Sequence, residues 1–128
     1  MIRHDQLAAY IEAARPRPFV WGEWDCCQFA SQWVLSQTGT DFRLQFPPYE
    51  NEEEAKAVLE FSGGLIALVD SVLEPIHRSR AMKGDLVLGP QEGGAALGIC
   101  LGQNSAHVGP NGLVFFPTST ALKAWRVP

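Results

Sequence analysis

Cys26 stands directly behind an aspartate and at the head of an apolar helical pattern, and there the sequence first offers chemistry. A thiol in the first turn of a helix meets unpaired backbone N–H groups and the positive end of the helix dipole, and both favour the thiolate. Cys26, Phe29, Ala30, Trp33 and Val34 recur at the helical period, so Cys26 lies on the stripe that packs on a sheet. Cys27 is rotated about 100° from that stripe, and Gln28, Ser31 and Gln32 lie more toward solvent. Asp25 is read as the helix cap and not as a base. The Cys26 amide or a neighbouring one, that of Cys27 included, is placed as an oxyanion donor. The same spacing equally describes a buried core thiol, since free cysteine is among the most buried residue types.

A cysteine nucleophile needs a base, and the chain holds three histidines, His4, His77 and His107. His4 lies at the terminus and His77 follows Pro75, where the helical half ends. His107 alone falls within a predicted strand, where it either faces Cys26 or has no task. Metal ligation is not expected, because Cys26 and Cys27 are adjacent and no histidine pair has helical spacing. Gly63-Gly64 and Gly93-Gly94 read as turn or breaker signals and not phosphate cradles, so no cofactor is implied. Asp85 reads as a turn or capping residue, the Glu52–Glu54 run as a solvated first turn, and Trp21, Trp24 and Trp33 as core.

The elements that must position these residues divide the chain in two. A helix is predicted from Asp5, which caps it, to Ala14, and Pro16 and Pro18 end it. The second helix starts after Asp25 and stops at Gly39. Asn51 caps a third, with Glu54 placed for the reciprocal bond. A short apolar helix spans Leu65 to Leu73 and is closed by Pro75. Beyond Ile76 come short apolar runs bounded by Gly, Asn and Pro: 86–88, 97–101, 106–108, 113–116 and 124–127. These read as antiparallel strands, with Asn111-Gly112 the clearest hairpin turn. The plan is α+β in one domain, 1–128: N-terminal helices packed on a small, curled, C-terminal antiparallel β-sheet.

Composition fits that plan. Of 128 residues 46% are hydrophobic, with seven Phe, four Trp and two Tyr, too apolar for a disordered chain. Ten Lys and Arg against fourteen Asp and Glu give a net charge of −4, and no basic run suggests a nucleic-acid stripe. No apolar run approaches the roughly 20 residues of a membrane span, and no signal peptide is evident. Three cysteines, two of them adjacent, are no disulfide scaffold and fit a reducing compartment.

The run Phe19-Val20-Trp21-Gly22-Glu23-Trp24-Asp25-Cys26, followed by Phe29-Ala30, resembles the nucleophile motif of NlpC/P60 cysteine peptidases, which have a papain-like fold. Lys83-Gly84-Asp85-Leu86-Val87-Leu88 resembles their Gly-Asp-Leu strand, and Ala96-Leu97-Gly98-Ile99-Cys100-Leu101-Gly102 their His-Val-Gly-Ile-Tyr-Leu-Gly strand. With Ala124-Trp125-Arg126-Val127 at its end, the chain is similar to small phage and prophage proteins encoded among tail genes. Leu97 stands where those peptidases carry the base histidine, and leucine accepts no proton. His107 falls about where they place the residue that orients the base. The resemblance therefore implies a structural or accessory component of a phage tail tip, a degenerate peptidase domain whose partners are other tail tip or hub proteins. Such a protein would be made in the host cytoplasm and pass to the virion tail. The alternatives are an active hydrolase of peptidoglycan peptides using Cys26 and His107, and a tail assembly factor.

Overall fold

The computed structural model describes residues 2–45, 47–61, 63–91 and 94–128. Four helices come first, α1 (Arg3–Ala14), α2 (Cys26–Thr38), α3 (Glu52–Phe61) and α4 (Leu65–Asp70). Six strands follow: β1 (Glu74–Ile76), β2 (Leu86–Gln91), β3 (Gly94–Cys100), β4 (Asn104–Gly109), β5 (Gly112–Pro117) and β6 (Lys123–Arg126). They form one antiparallel sheet in the order β1-β6-β2-β3-β4-β5. Among the described residues no helix is long and apolar enough to cross a membrane.

Strand alternation sorts the sheet into two faces. Leu86, Leu88, Leu97, Ile99, Ala106 and Val108 point to the helices and join Phe29, Ala30, Trp33 and Val34 of α2 in the main core. Val87, Cys100, Ala121 and Ala124 form a smaller cluster on the far face. Trp33 is pinned between the layers by its indole N–H, which donates to the Gly84 carbonyl at 2.8 Å.

Several local expectations are corrected. The first helix begins at Arg3, taking His4 into its first turn, and Asp5 does not cap it; Ile2 holds the cap position with no side-chain bond. Asn51 does cap α3 through the Glu54 N–H at 2.9 Å, but Glu54 returns its bond to the Glu50 N–H, one residue earlier than a capping box requires. The fourth helix ends at Asp70, and Pro75 lies inside β1, an edge strand that the runs beyond Ile76 did not include. Proline is tolerated there because an edge position leaves one side of the strand without a ladder. Gly109 pairs with Gly112, so the hairpin turns through Pro110-Asn111, one residue earlier than expected. Ser31 is fully buried, its hydroxyl donating to the Gln28 carbonyl. Of the Gly93-Gly94 signal, Gly93 lies outside the described residues.

Asp85 is more than a turn residue. Its buried carboxylate accepts from the Met82 N–H at 2.9 Å and the Val127 N–H at 3.0 Å. Arg126 and Arg3 lie 3.6 and 3.9 Å from its two oxygens, and Arg3 also donates to the Val127 carbonyl. One carboxylate thus ties α1 and the C-terminal strand to the start of β2. Asp85→Ala leaves two main-chain donors and two cations without their acceptor, and should lower unfolding stability by about 3 kcal/mol, measured by urea titration of tryptophan fluorescence.

Candidate active site

Asp25 starts α2 in the way its residue type requires. Its Oδ1 accepts from the Gln28 N–H at 2.9 Å, the bond of an N-cap residue. Its Oδ2 accepts from the Gly22 N–H at 2.9 Å and the Tyr49 hydroxyl at 2.7 Å. Gly22 has a φ of 79°, and a Cβ there would lie 2.0 Å from the Tyr49 carbonyl oxygen, so both the turn and the close approach need glycine. The segment Gly22-Glu23-Trp24-Asp25 is therefore a built device that sets where the cysteine helix begins.

Cys26, half-buried, and Cys27, buried, follow in the first turn. The burial order is the reverse of that expected from the apolar stripe. Both thiols line a cavity of about 270 Å³ with Trp21, Asp25, Tyr49, Leu59, Leu65 and Ala95, and Glu52 and Lys56 of α3 also border it. Trp21 is thereby a cavity wall, 38% exposed, where the sequence suggested core. Tyr49 is the site residue that the sequence did not reveal. It follows Pro47-Pro48 in an irregular stretch, and its partners come from 24 positions earlier.

The two thiols differ in proton affinity. The Cys27 side chain, hydrogen-bonded to the Cys26 sulfur, holds the Cys26 thiol below the ordinary thiol range against the opposing effect of burial. The main chain of Leu97 and the Cys27 amide add support, while the Asp25 charge works against it. Cys27 is pushed well above that range, first by its bond to Cys26 and then by burial. Burial also raises the Tyr49 phenol far above the ordinary range, so it remains a donor. Of the two sulfurs, Cys26 is therefore the one whose thiolate is favoured, and Cys27 the one that holds its proton more tightly.

The structure does not bring His107 to Cys26. Ala106 and Val108 face the helices, so strand alternation turns His107 to the opposite face. Its ring lies over Gly98 and Gly89, where an added Cβ would meet ring atoms at 2.5 and 2.8 Å, and it makes an edge contact with Phe116 at 5.6 Å. Burial lowers its pKa, and the Leu97 main chain offsets this in part. Its Nδ1 is buried with no hydrogen-bond partner. Cys26 and His107 approach the Leu97 backbone from opposite faces of β3, with no hydrogen bond between them. The other two histidines do not line the Cys26 cavity; His4 lies in α1 and His77 at the head of a 3-10 turn beside Ser79. Among the described residues no three His, Cys, Asp or Glu side chains converge as a metal site.

Residues 2–127 match a protein family described as a domain of unknown function, DUF6950. A crystal structure of the NlpC/p60 domain of the peptidoglycan hydrolase SagA superposes with a TM-score of 0.64 at 20% identity, covering 98% of this chain and 99% of that one. No curated protein matches. The α+β architecture, helices against an antiparallel sheet, is the NlpC/P60-type fold.

Two measurements check this site. The rate of Cys26 alkylation, localised by mass spectrometry, should reach half its maximum below the free-thiol value of about 8.5 and fall as pH drops through that point. Cys27→Ala should move the midpoint up, because it removes the largest support for the thiolate. For the other face, Gly89→Ala should destabilise the protein by about 1–3 kcal/mol and do so far less in a His107→Ala background, since the clash it creates is with the ring. Additive losses in that double-mutant cycle would place the imidazole elsewhere.

Proposed function

We propose that this chain, which belongs to the DUF6950 family of domains of unknown function, is an NlpC/P60-type cysteine hydrolase of peptide amides with Cys26 as nucleophile. One observation carries the reading: Cys26, a half-buried residue whose thiolate is favoured, stands at the N-terminus of α2 in the wall of a cavity. The substrate class we assign is the peptide part of peptidoglycan, as the similar SagA domain comes from a peptidoglycan hydrolase.

The chemistry follows from the proton inventory. The Cys26 thiolate attacks the amide carbonyl, the C–S bond forms, and first-turn amides face the developing oxyanion. As the C–N bond breaks, the leaving nitrogen takes a proton from water that enters the cavity beside Cys26. Water then hydrolyses the thioester, releasing carboxylate and restoring the thiol. Asp25 and Tyr49 hold the helix start in place. His107 takes no proton in this scheme, because its ring lies on the other face of the sheet.

A second reading rests on the side chain opposite Cys26. Leu97, fully buried, occupies the strand position where the resembled peptidases carry their base. On this reading the domain does not hydrolyse and serves as a structural or accessory part of a phage tail tip, contacting other tail tip or hub proteins.

Incubation with peptidoglycan stem peptides, followed by mass spectrometry of the products, separates the two. The hydrolase reading expects cleavage that Cys26→Ala lowers by at least about a thousandfold and His107→Ala by less than about tenfold. Loss of cleavage in His107→Ala to the same degree as in Cys26→Ala, with the fold intact, would restore the dyad. Absence of cleavage in the unmodified protein across neutral and alkaline pH would favour the tail component.

A further inference from the structure

Cys27 is the thiol that the proposed hydrolysis leaves unused. It neighbours Cys26 in the chain, and both side chains open onto the same cavity. All three cysteines are free, and Cys100 is packed on the far face of the sheet with Val87 and Ala124. We propose that Cys26 and Cys27 form a peroxide-reactive vicinal dithiol that closes to a disulfide between the two neighbouring residues, a modification site at which the nucleophile is reversibly blocked.

The steps balance with a peroxide as the named oxidant. The Cys26 thiolate attacks one peroxide oxygen; the S–O bond forms, the O–O bond breaks, and hydroxide or alkoxide leaves. The Cys27 sulfur then attacks the Cys26 sulfenic sulfur; the S–S bond forms, and the S–O bond breaks. The hydroxyl departs as water with the Cys27 proton. The pair loses two electrons and the peroxide gains them.

Three structural features support this order. Cys26 is the more exposed of the two, half-buried in the cavity wall, whereas Cys27 is 7% exposed. The largest effect holding the proton on Cys27 is its bond to the Cys26 sulfur, and conversion of that sulfur to a neutral sulfenic acid removes the thiolate acceptor. The α2 ladder begins with the Phe29 N–H donating to the Asp25 carbonyl at 2.9 Å, so the N–H of the peptide between the two cysteines holds no rung, and closure disturbs only the first turn of α2. The product is easily reversed. Successive Cα atoms are about 3.8 Å apart, below the usual disulfide spacing of about 4.4–6.8 Å, and a bond strained in this way is readily reduced.

The inference does not depend on hydrolysis, and its test needs no substrate. The protein is treated with hydrogen peroxide, and its intact mass and peptide map are read before and after dithiothreitol. The expected result is a loss of about two daltons, with the Cys26-Cys27 peptide closed to alkylation and reopened by the reductant. Cys27→Ser should instead gain oxygen at Cys26 and never show the two-dalton loss. Phenylarsine oxide, a dithiol reagent, should bind the unmodified protein and neither Cys26→Ser nor Cys27→Ser. An unmodified protein that gains about 32 daltons at Cys26 while Cys27 stays alkylatable overturns the proposal. So does one that forms a disulfide dimer or does not react. These readings use the unmodified chain, so a Cys27→Ser variant that fails to fold leaves them standing.

Discussion

The Asp25 carboxylate, 1% exposed, gathers three donors from three separate pieces of chain: the Gly22 amide, the Gln28 amide and the Tyr49 hydroxyl. Buried anions are tolerated only when their lone pairs are filled in this way. The consequence is positional. Gly22 brings the aromatic turn to the helix, Gln28 fixes the helix register, and Tyr49 anchors the irregular stretch that leads to α3. Cys26 sits one residue after this junction, so its direction is set by the same bonds that neutralise the cost of burying Asp25. The order Gly-x-x-Asp-Cys is therefore a structural statement before it is a catalytic one. The glycine lets two backbones meet, the aspartate joins them, and the cysteine inherits the helix end.

The sheet imposes the second constraint. Strand residues alternate faces, so one position decides whether a side chain meets the helices or the far side. β3 sends Leu97 and Ile99 to α2 and gives Gly98 to the far face. β4 sends Ala106 and Val108 inward and His107 outward. Among the described residues β3 and β4 pair at Ile99–Ala106 and Cys100–Ser105, while the two flanking hairpins each continue for several more pairs. The imidazole lies beside the end of that short ladder, over two glycines whose lack of a side chain leaves it room. A histidine in an apolar strand is legible as a candidate base from composition alone, but its face is set by a register that only the paired strands define.

This explains how much the sequence disclosed. The helix starting at Cys26, its Asp25 cap and its Gly39 stop rest on local rules, and the observed Cys26–Thr38 helix with Gly39 in the left-handed region agrees with them. The strand cores were likewise visible as short apolar runs. Features made by distant contacts were not. Tyr49 reaches Asp25 across 24 residues, Asp85 holds Val127 across 42, and β1 exists as a strand through its pairing with β6. The burial of Cys27 ahead of Cys26 belongs to the same class, because helical periodicity gives the angle between two side chains but not the shape of what covers them.

The electrostatics of the thiol pair rest on neutral donors, although Lys56, paired with Glu52 at 3.5 Å, borders the same cavity. Among the described residues no charged Lys, Arg or His contributes to holding Cys26 below the ordinary thiol range; neutral donors do so, namely the Cys27 thiol, the Leu97 main chain and the Cys27 amide. A hydrogen bond to a charged acceptor contributes about 1.5–3 kcal/mol, and a helix end about 0.3–1 kcal/mol. Several such donors are therefore of the size needed to oppose desolvation and the Asp25 charge without an ion pair. The arrangement has a limit built into it. An imidazole partner would both support the thiolate and carry a proton to the leaving group, whereas a thiol donor and fixed amides only support it. In the proposed hydrolysis, with Leu97 and not a histidine opposite Cys26, the proton for the leaving group comes from solvent. On that proposal, solvent access to the cavity beside Cys26 is part of the chemistry.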